Sequence, residues 1–175
     1  MRLILLALCS AAVLAGQAAR FSEDNRLLLP EDYRTWPLAG ASLGLSYNED
    51  GEASGEPQFH QVYLDPAAYA EYTRSGTFPD GTVLMMEVYS KGSNPTPNRA
   101  GSFADRFLRV EAAVKVSGRF AQDWVYFDFG GPRPEQVSTE AFAAKSCWTC
   151  HNEHAAEDNV FTQFYGPLRA ARSTR

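Results

Sequence analysis

The sequence predicts a mainly β protein of the α+β class, an antiparallel sheet with a few helices and a cofactor motif on a helix near the C-terminus. Three observations lead there. Runs rich in β-branched and aromatic residues fill the middle of the chain, punctuated by Gly, Pro and Asp. Only two segments carry helix signals. The pentapeptide Cys147-Trp148-Thr149-Cys150-His151 follows this β-rich body instead of preceding it.

The first segment reads as a leader. Met1 and Arg2 form a positive start, residues 3–14 are apolar, and Ala15-Gly16-Gln17-Ala18-Ala19 offers small residues for cleavage after Ala18 or Ala19. Residues 1–19 are thus a secretory signal peptide, too short to remain as a span, and no later run approaches the roughly 18 apolar residues a membrane helix needs. Cys9 leaves with the leader, so the exported chain keeps two cysteines, and its compartment is a bacterial periplasm. Residues 20–175 have the length of one domain. The formal charge of −5 becomes more negative once Arg2 is lost. Such a chain has no basic field for nucleic acid.

Residues 41–47 and 59–64 alternate partially and read as strands. Asp65 and Pro66 mark a helix start, an Asx cap followed by Pro at the first helical position, and Gly76 closes that helix in the left-handed conformation. Phe78-Pro79-Asp80-Gly81 is a turn before a strand over 82–90. Residues 48–57 and 91–102 read as surface loops. Residues 107–116 alternate most cleanly: Leu108, Val110, Ala112, Val114 and Val116 share one face, Phe107, Arg109, Glu111, Ala113 and Lys115 the other. Residues 124–129 form an aromatic strand. Ser138 or Thr139 then caps a helix through 140–145 that delivers the pentapeptide. The aromatic stretch 158–165 packs on the same side.

Cys-x-x-Cys-His is the attachment pattern of c-type haem. Two thiols add to the two vinyl groups and the adjacent imidazole ligates the iron; on a helix, positions i, i+3 and i+4 share a face. One haem c per chain follows, held by Cys147 and Cys150, with His151 as the iron's proximal ligand. A zinc site would need a second ligand pair at finger or ribbon spacing, and His154 follows too closely to give one. A redox dithiol usually follows a strand in a βαβ pattern, whereas a helix leads into this motif. His60 and His154 read as solvated or satisfied side chains.

The runs Asp65-Pro66-Ala67-Ala68-Tyr69-Ala70, Gly76-Thr77-Phe78-Pro79-Asp80-Gly81-Thr82-Val83-Leu84, Trp124-Val125-Tyr126-Phe127-Asp128-Phe129-Gly130, the pentapeptide, and Asp158-Asn159-Val160-Phe161-Thr162-Gln163-Phe164-Tyr165 occur in an order that resembles the cytochrome P-460 and cytochrome c′-beta superfamily. The resemblance implies a β-rich homodimer with one His-ligated haem per subunit and an open distal face for small ligands. P-460 proteins carry a lysine, followed by Glu, in the strand after the Phe-Pro-Asp-Gly turn, and its amine bonds to the haem edge. Here Met86 stands at that place, which resembles a Met variant of cytochrome c′-beta and argues against hydroxylamine oxidation.

Leu84, Met86 and Val88 share an apolar face directed inward, while Met85 lies with Glu87; a one-residue slip would exchange the two methionines. Met86 then has three roles open to it: core filling, lining the distal pocket, or ligating the iron as in His/Met electron carriers. Glu111 aligns with an acidic distal position of the family, but its alternation with Arg109 and Lys115 favours surface charge pairing. The implied function is binding or activating a small ligand, nitric oxide or hydrogen peroxide, with an unknown redox partner. Electron transfer is the alternative and hydroxylamine oxidation the third. With an apolar pocket, peroxide turnover would be slow for want of a well-placed carboxylate.

Overall fold

The computed structural model describes residues 19–45, 55–93, 96–97, 100–131, 138–143, 145 and 147–173. The leader and most of the 48–57 loop lie outside the described residues. The centre of the fold is a five-stranded antiparallel sheet in the order β2-β3-β4-β5-β6, formed by Leu38–Leu43, Gln58–Leu64, Val83–Gly92, Phe103–Lys115 and Trp124–Asp128. The mainly β expectation holds, with strand ends shifted. The first central strand begins and ends earlier than residues 41–47, and β4 runs on into the expected 91–102 loop.

Helix α1 (Pro66–Ser75) forms as its signals predict. Asp65 Oδ1 accepts from Ala68 N at 3.0 Å, and Gly76 caps the far end at φ 82°. Asp65 Oδ2 also accepts from Val83 N at 3.0 Å, so one buried carboxylate ties the helix start to β4.

Both faces of the sheet are covered, which alternation alone does not reveal. On one face Val83, Met85, Val110, Ala112, Val114, Val125 and Phe127 pack under Leu27, Tyr33 and Trp36. On the other, Val62, Leu64, Leu84, Trp124 and Tyr126 pack against α1 residues Ala68 and Tyr72 and against Val160 and Leu168 from the C-terminal segment.

The expected helix over 140–145 is not formed by residues 140–143, which are non-helical chain and a bridge. Ser138–Thr139 (β7) pairs antiparallel with Leu27–Leu28 (β1), Ala141 bridges Phe127, and Phe142 N donates to Tyr126 O at 2.8 Å. This segment follows the open edge of β6, where unpaired backbone groups outweigh a weak local helix preference. The motif helix α2 begins only at Trp148 and ends at His154. A further helix, α3 (Gly166–Ser173), packs on α1 and β2. Among the described residues no helix is long and apolar enough to cross a membrane.

Candidate haem site

Strand register builds one wall of the site. Val62 lies opposite Met86, and Met86 opposite Glu111; in the next row Leu84 lies opposite Ala113, and Ala113 opposite Tyr126. Residues directly opposite share a face, so these two rows present their side chains together. They line a cleft that opens to solvent, with an internal cavity volume of about 100 Å³. Cys147, His151, Asn159, Phe161 and Tyr165 form the other wall.

Met86 therefore faces the cleft, and Met85 lies in the opposite core, completely buried. The placement that parity favours is the one observed. Glu111 is a correction. Its face with Arg109 and Lys115 is not the solvent face: Glu111 lines the cleft beside Met86 and is only 27% exposed. Charge pairing exists as well, but along the strand: Arg109 Nε donates to Glu111 Oε1 at 2.6 Å, and Arg109 Nη1 to Gln58 Oε1 at 3.2 Å. Alternation separated the two faces correctly and assigned the wrong one to solvent.

His151 sits in the second turn of the motif segment, its backbone N bonded to Cys147 O at 3.0 Å. Its ring lies between Tyr126 and Phe161, with both centroid separations at 4.5 Å. Nδ1 is 2.8 Å from the Asn159 carbonyl oxygen. A carbonyl only accepts, so Nδ1 carries the proton and Nε2 keeps its lone pair. Burial lowers the imidazole pKa, against the opposing pull of Asn159, and the ring is neutral. His60 is half-buried in β3, its pKa lowered by burial and by Arg109, and it does not line the cleft. His154 is exposed beside Glu153.

The Cys147 thiol does not resemble the reactive member of a redox pair. Reactive dithiols have depressed pKa values, whereas burial, then the charge of Glu111, then Cys150 push the Cys147 thiol up. Cys147 is the N-cap of α2 and Cys150 lies inside it, both partly buried.

These groups fit a haem. They are an apolar cleft, a neutral imidazole with one nitrogen committed and the other available, and two cysteines at i and i+3 around the helix start. The buried Nδ2 of Asn159, in the cleft wall, has no hydrogen-bond partner among the described residues. Haem would bring polar atoms to a pocket that otherwise leaves this donor unpaired.

Of the residues singled out from sequence, Cys147, His151, Met86 and Glu111 line the cleft, and Cys150 is not among its lining residues. Sequence reasoning missed the Asn159 carbonyl, Tyr126 and Tyr165. For Asn159 a signal was present, since Asp-Asn is a pair that tolerates left-handed backbone. No curated protein matches the chain. A family model, Cytochrome P460, matches residues 30–162, which takes in the five-stranded sheet, the motif helix and Asn159. With the match spanning well over half of the chain and a cleft that suits its cofactor, this protein belongs to the cytochrome P460 family and is a c-type haem cytochrome.

Proposed function

We propose that Cys147 and Cys150 carry the haem through thioether bonds, that His151 ligates its iron, and that Met86 and Glu111 line the face reached by a small ligand, nitric oxide or hydrogen peroxide. The observation that carries this reading is the His151 imidazole, fixed by Asn159 so that Nε2 is the nitrogen left to bind metal. When bound, haem supplies the iron that takes up the ligand and exchanges electrons with it.

The chain's own contribution is selective. Val62, Leu84 and Met86 keep part of the cleft apolar, which favours uncharged ligands. Met86 has no proton to give. Glu111 does have acid–base capacity, and Arg109 holds its carboxylate in place at 2.6 Å. This supplies the group whose lack would make peroxide turnover slow. Residues 82–90 contain no lysine, and Lys91, further along β4, is exposed and does not line the cleft. The cleft-facing part of the strand thus offers no amine for a cross-link, and hydroxylamine oxidation ranks last. A second reading uses Met86 as the sixth ligand of an electron carrier, because its thioether lines the same cleft. The proposal includes export to the periplasm, a homodimer and an unknown redox partner; cell fractionation and sedimentation test the first two.

The deciding experiment is the optical spectrum of the exported protein, before and after nitric oxide addition. High-spin ferric iron, with ready uptake of nitric oxide on reduction, supports the open site. Low-spin iron with a sulfur-to-iron band in the far red supports the carrier. Haem that acid and organic solvent extract from the chain rules out the covalent attachment.

A further inference from the structure

We propose that the turn Glu157–Val160 tunes the haem iron through His151, with Asp158 as the positioning residue. The inference rests on the proposed ligation by His151.

Asp158 and Asn159 are consecutive non-glycine residues at φ 46° and 59°. Glu157 and Val160 flank them as an antiparallel bridge, with Val160 N donating to Glu157 O at 2.8 Å. Two left-handed central residues between bridged ends are the hallmark of a type I′ turn, which usually takes glycine. Strained backbone of this kind persists where its surroundings hold it.

Here they do so at both corners. Asp158 Oδ1 accepts from Trp124 Nε1 at 3.1 Å and Oδ2 from Lys115 Nζ at 2.7 Å. Glu157 accepts from the Tyr72 hydroxyl, and from Arg172 Nη1 at 3.0 Å. Lys115 belongs to β5 and Trp124 to β6, two strands that also build the sheet wall of the cleft. The turn is thereby keyed to the sheet, and its product is the direction of one carbonyl, the Asn159 oxygen 2.8 Å from His151 Nδ1. A firm acceptor at Nδ1 makes the imidazole a stronger donor at Nε2, which favours oxidised iron. Asp158 touches neither iron nor substrate; it acts through that carbonyl.

The test uses the exported holoprotein and two readouts, the reduction potential and the iron–histidine stretching frequency of the reduced protein. Asp158→Ala should change the oxidised-to-reduced ratio at fixed potential by about tenfold toward reduced iron, a rise of ~59 mV for one electron, and should lower the frequency. Asn159→Gly keeps the carbonyl and suits the turn, so the frequency should stay at its wild-type value whatever loss of the cleft-lining amide does to the potential. A raised potential in Asp158→Ala with an unmoved frequency would be a distant charge effect and overturns the inference. So does Asn159→Gly lowering the frequency as far as Asp158→Ala, which would put the effect in the side-chain amide. If Asp158→Ala does not accumulate, Asp158→Asn weakens the Lys115 arm alone: a shift in both readouts supports the proposal, and no shift overturns it. A wild-type protein without any iron–histidine band sinks the open-site reading, in which His151 is the one protein ligand of the iron; a band that no variant moves sinks only this inference.

Discussion

Glu111 on β5 and Glu87 on β4 lie one register position apart, on opposite faces of the sheet. Glu111 faces the cleft, partly exposed and held by Arg109. Glu87, on the opposite face of β4, is 1% exposed and accepts from Tyr33 OH at 2.6 Å, Arg34 Nε at 2.6 Å and Tyr89 OH at 2.9 Å. Replacing Glu111 by Gln should lower peroxide turnover by roughly 10²-fold, within the range for a lost acid–base group, while nitric oxide affinity stays near wild type; stopped-flow assays separate the two. Replacing Glu87 by Ala leaves the buried Tyr33 hydroxyl without its acceptor, while the exposed Arg34 turns to solvent, and should cost about 1–3 kcal/mol in urea unfolding. Burial, and then the hydrogen bond to Glu87, push the Tyr89 phenol up to about 12 and Tyr33 higher still. An unfolded phenol loses its proton near 10, so above that pH the folded state binds more protons than the unfolded one. Stability should therefore fall as pH rises from about 10 to 12, and alkaline denaturation of the wild type against Glu87→Gln measures it.

At the scale of elements, α1 is written almost entirely in local sequence. Asp65, Pro66 and Gly76 set its limits because capping depends on neighbours within one turn. Asp65 does more than cap, since its second oxygen holds Val83 N. Asp65→Ala should accordingly cost about 2–3 kcal/mol by chemical denaturation, more than the ~1 kcal/mol of an ordinary cap. Residues 138–143 show the reverse: their helix signal is weak and local, and the β6 edge and β1 recruit the segment instead. Strand β2 carries a further dependence on distant chain. A Cβ on Gly40 would stand 2.5 Å from Tyr165 Cδ1, in the side chain that walls the cleft. Gly40→Ala should displace that ring, read as an altered haem spectrum and ligand-binding rate with little loss of secondary structure.

In the whole molecule, one sheet serves two masters of different chemistry. The face under Leu27, Tyr33 and Trp36 is a closed core; the other closes over part of its length and opens into the cleft beside the motif helix. Chain made without haem leaves Val62, Leu84, Met86 and Tyr126 facing an empty cleft. It should keep the circular dichroism of a sheet yet melt at lower temperature than the holoprotein, because a ligand bound only by the folded state adds to its stability. Equal melting temperatures would show that the cleft contributes nothing to the fold.

The chain alone determined the haem motif, the capped helix, the strand alternation and the parity that sends Met86 and Met85 to opposite sides. These follow from spacing, and spacing is local. Only the tertiary structure decided which side is which. A sheet covered on both faces has no solvent face for its polar residues to mark, so Glu111 enters the cleft and Glu87 the core. The partner of His151 was likewise decided there, because a backbone carbonyl has no signature in sequence and acquires its direction from Trp124 and Lys115, strand residues far away along the chain.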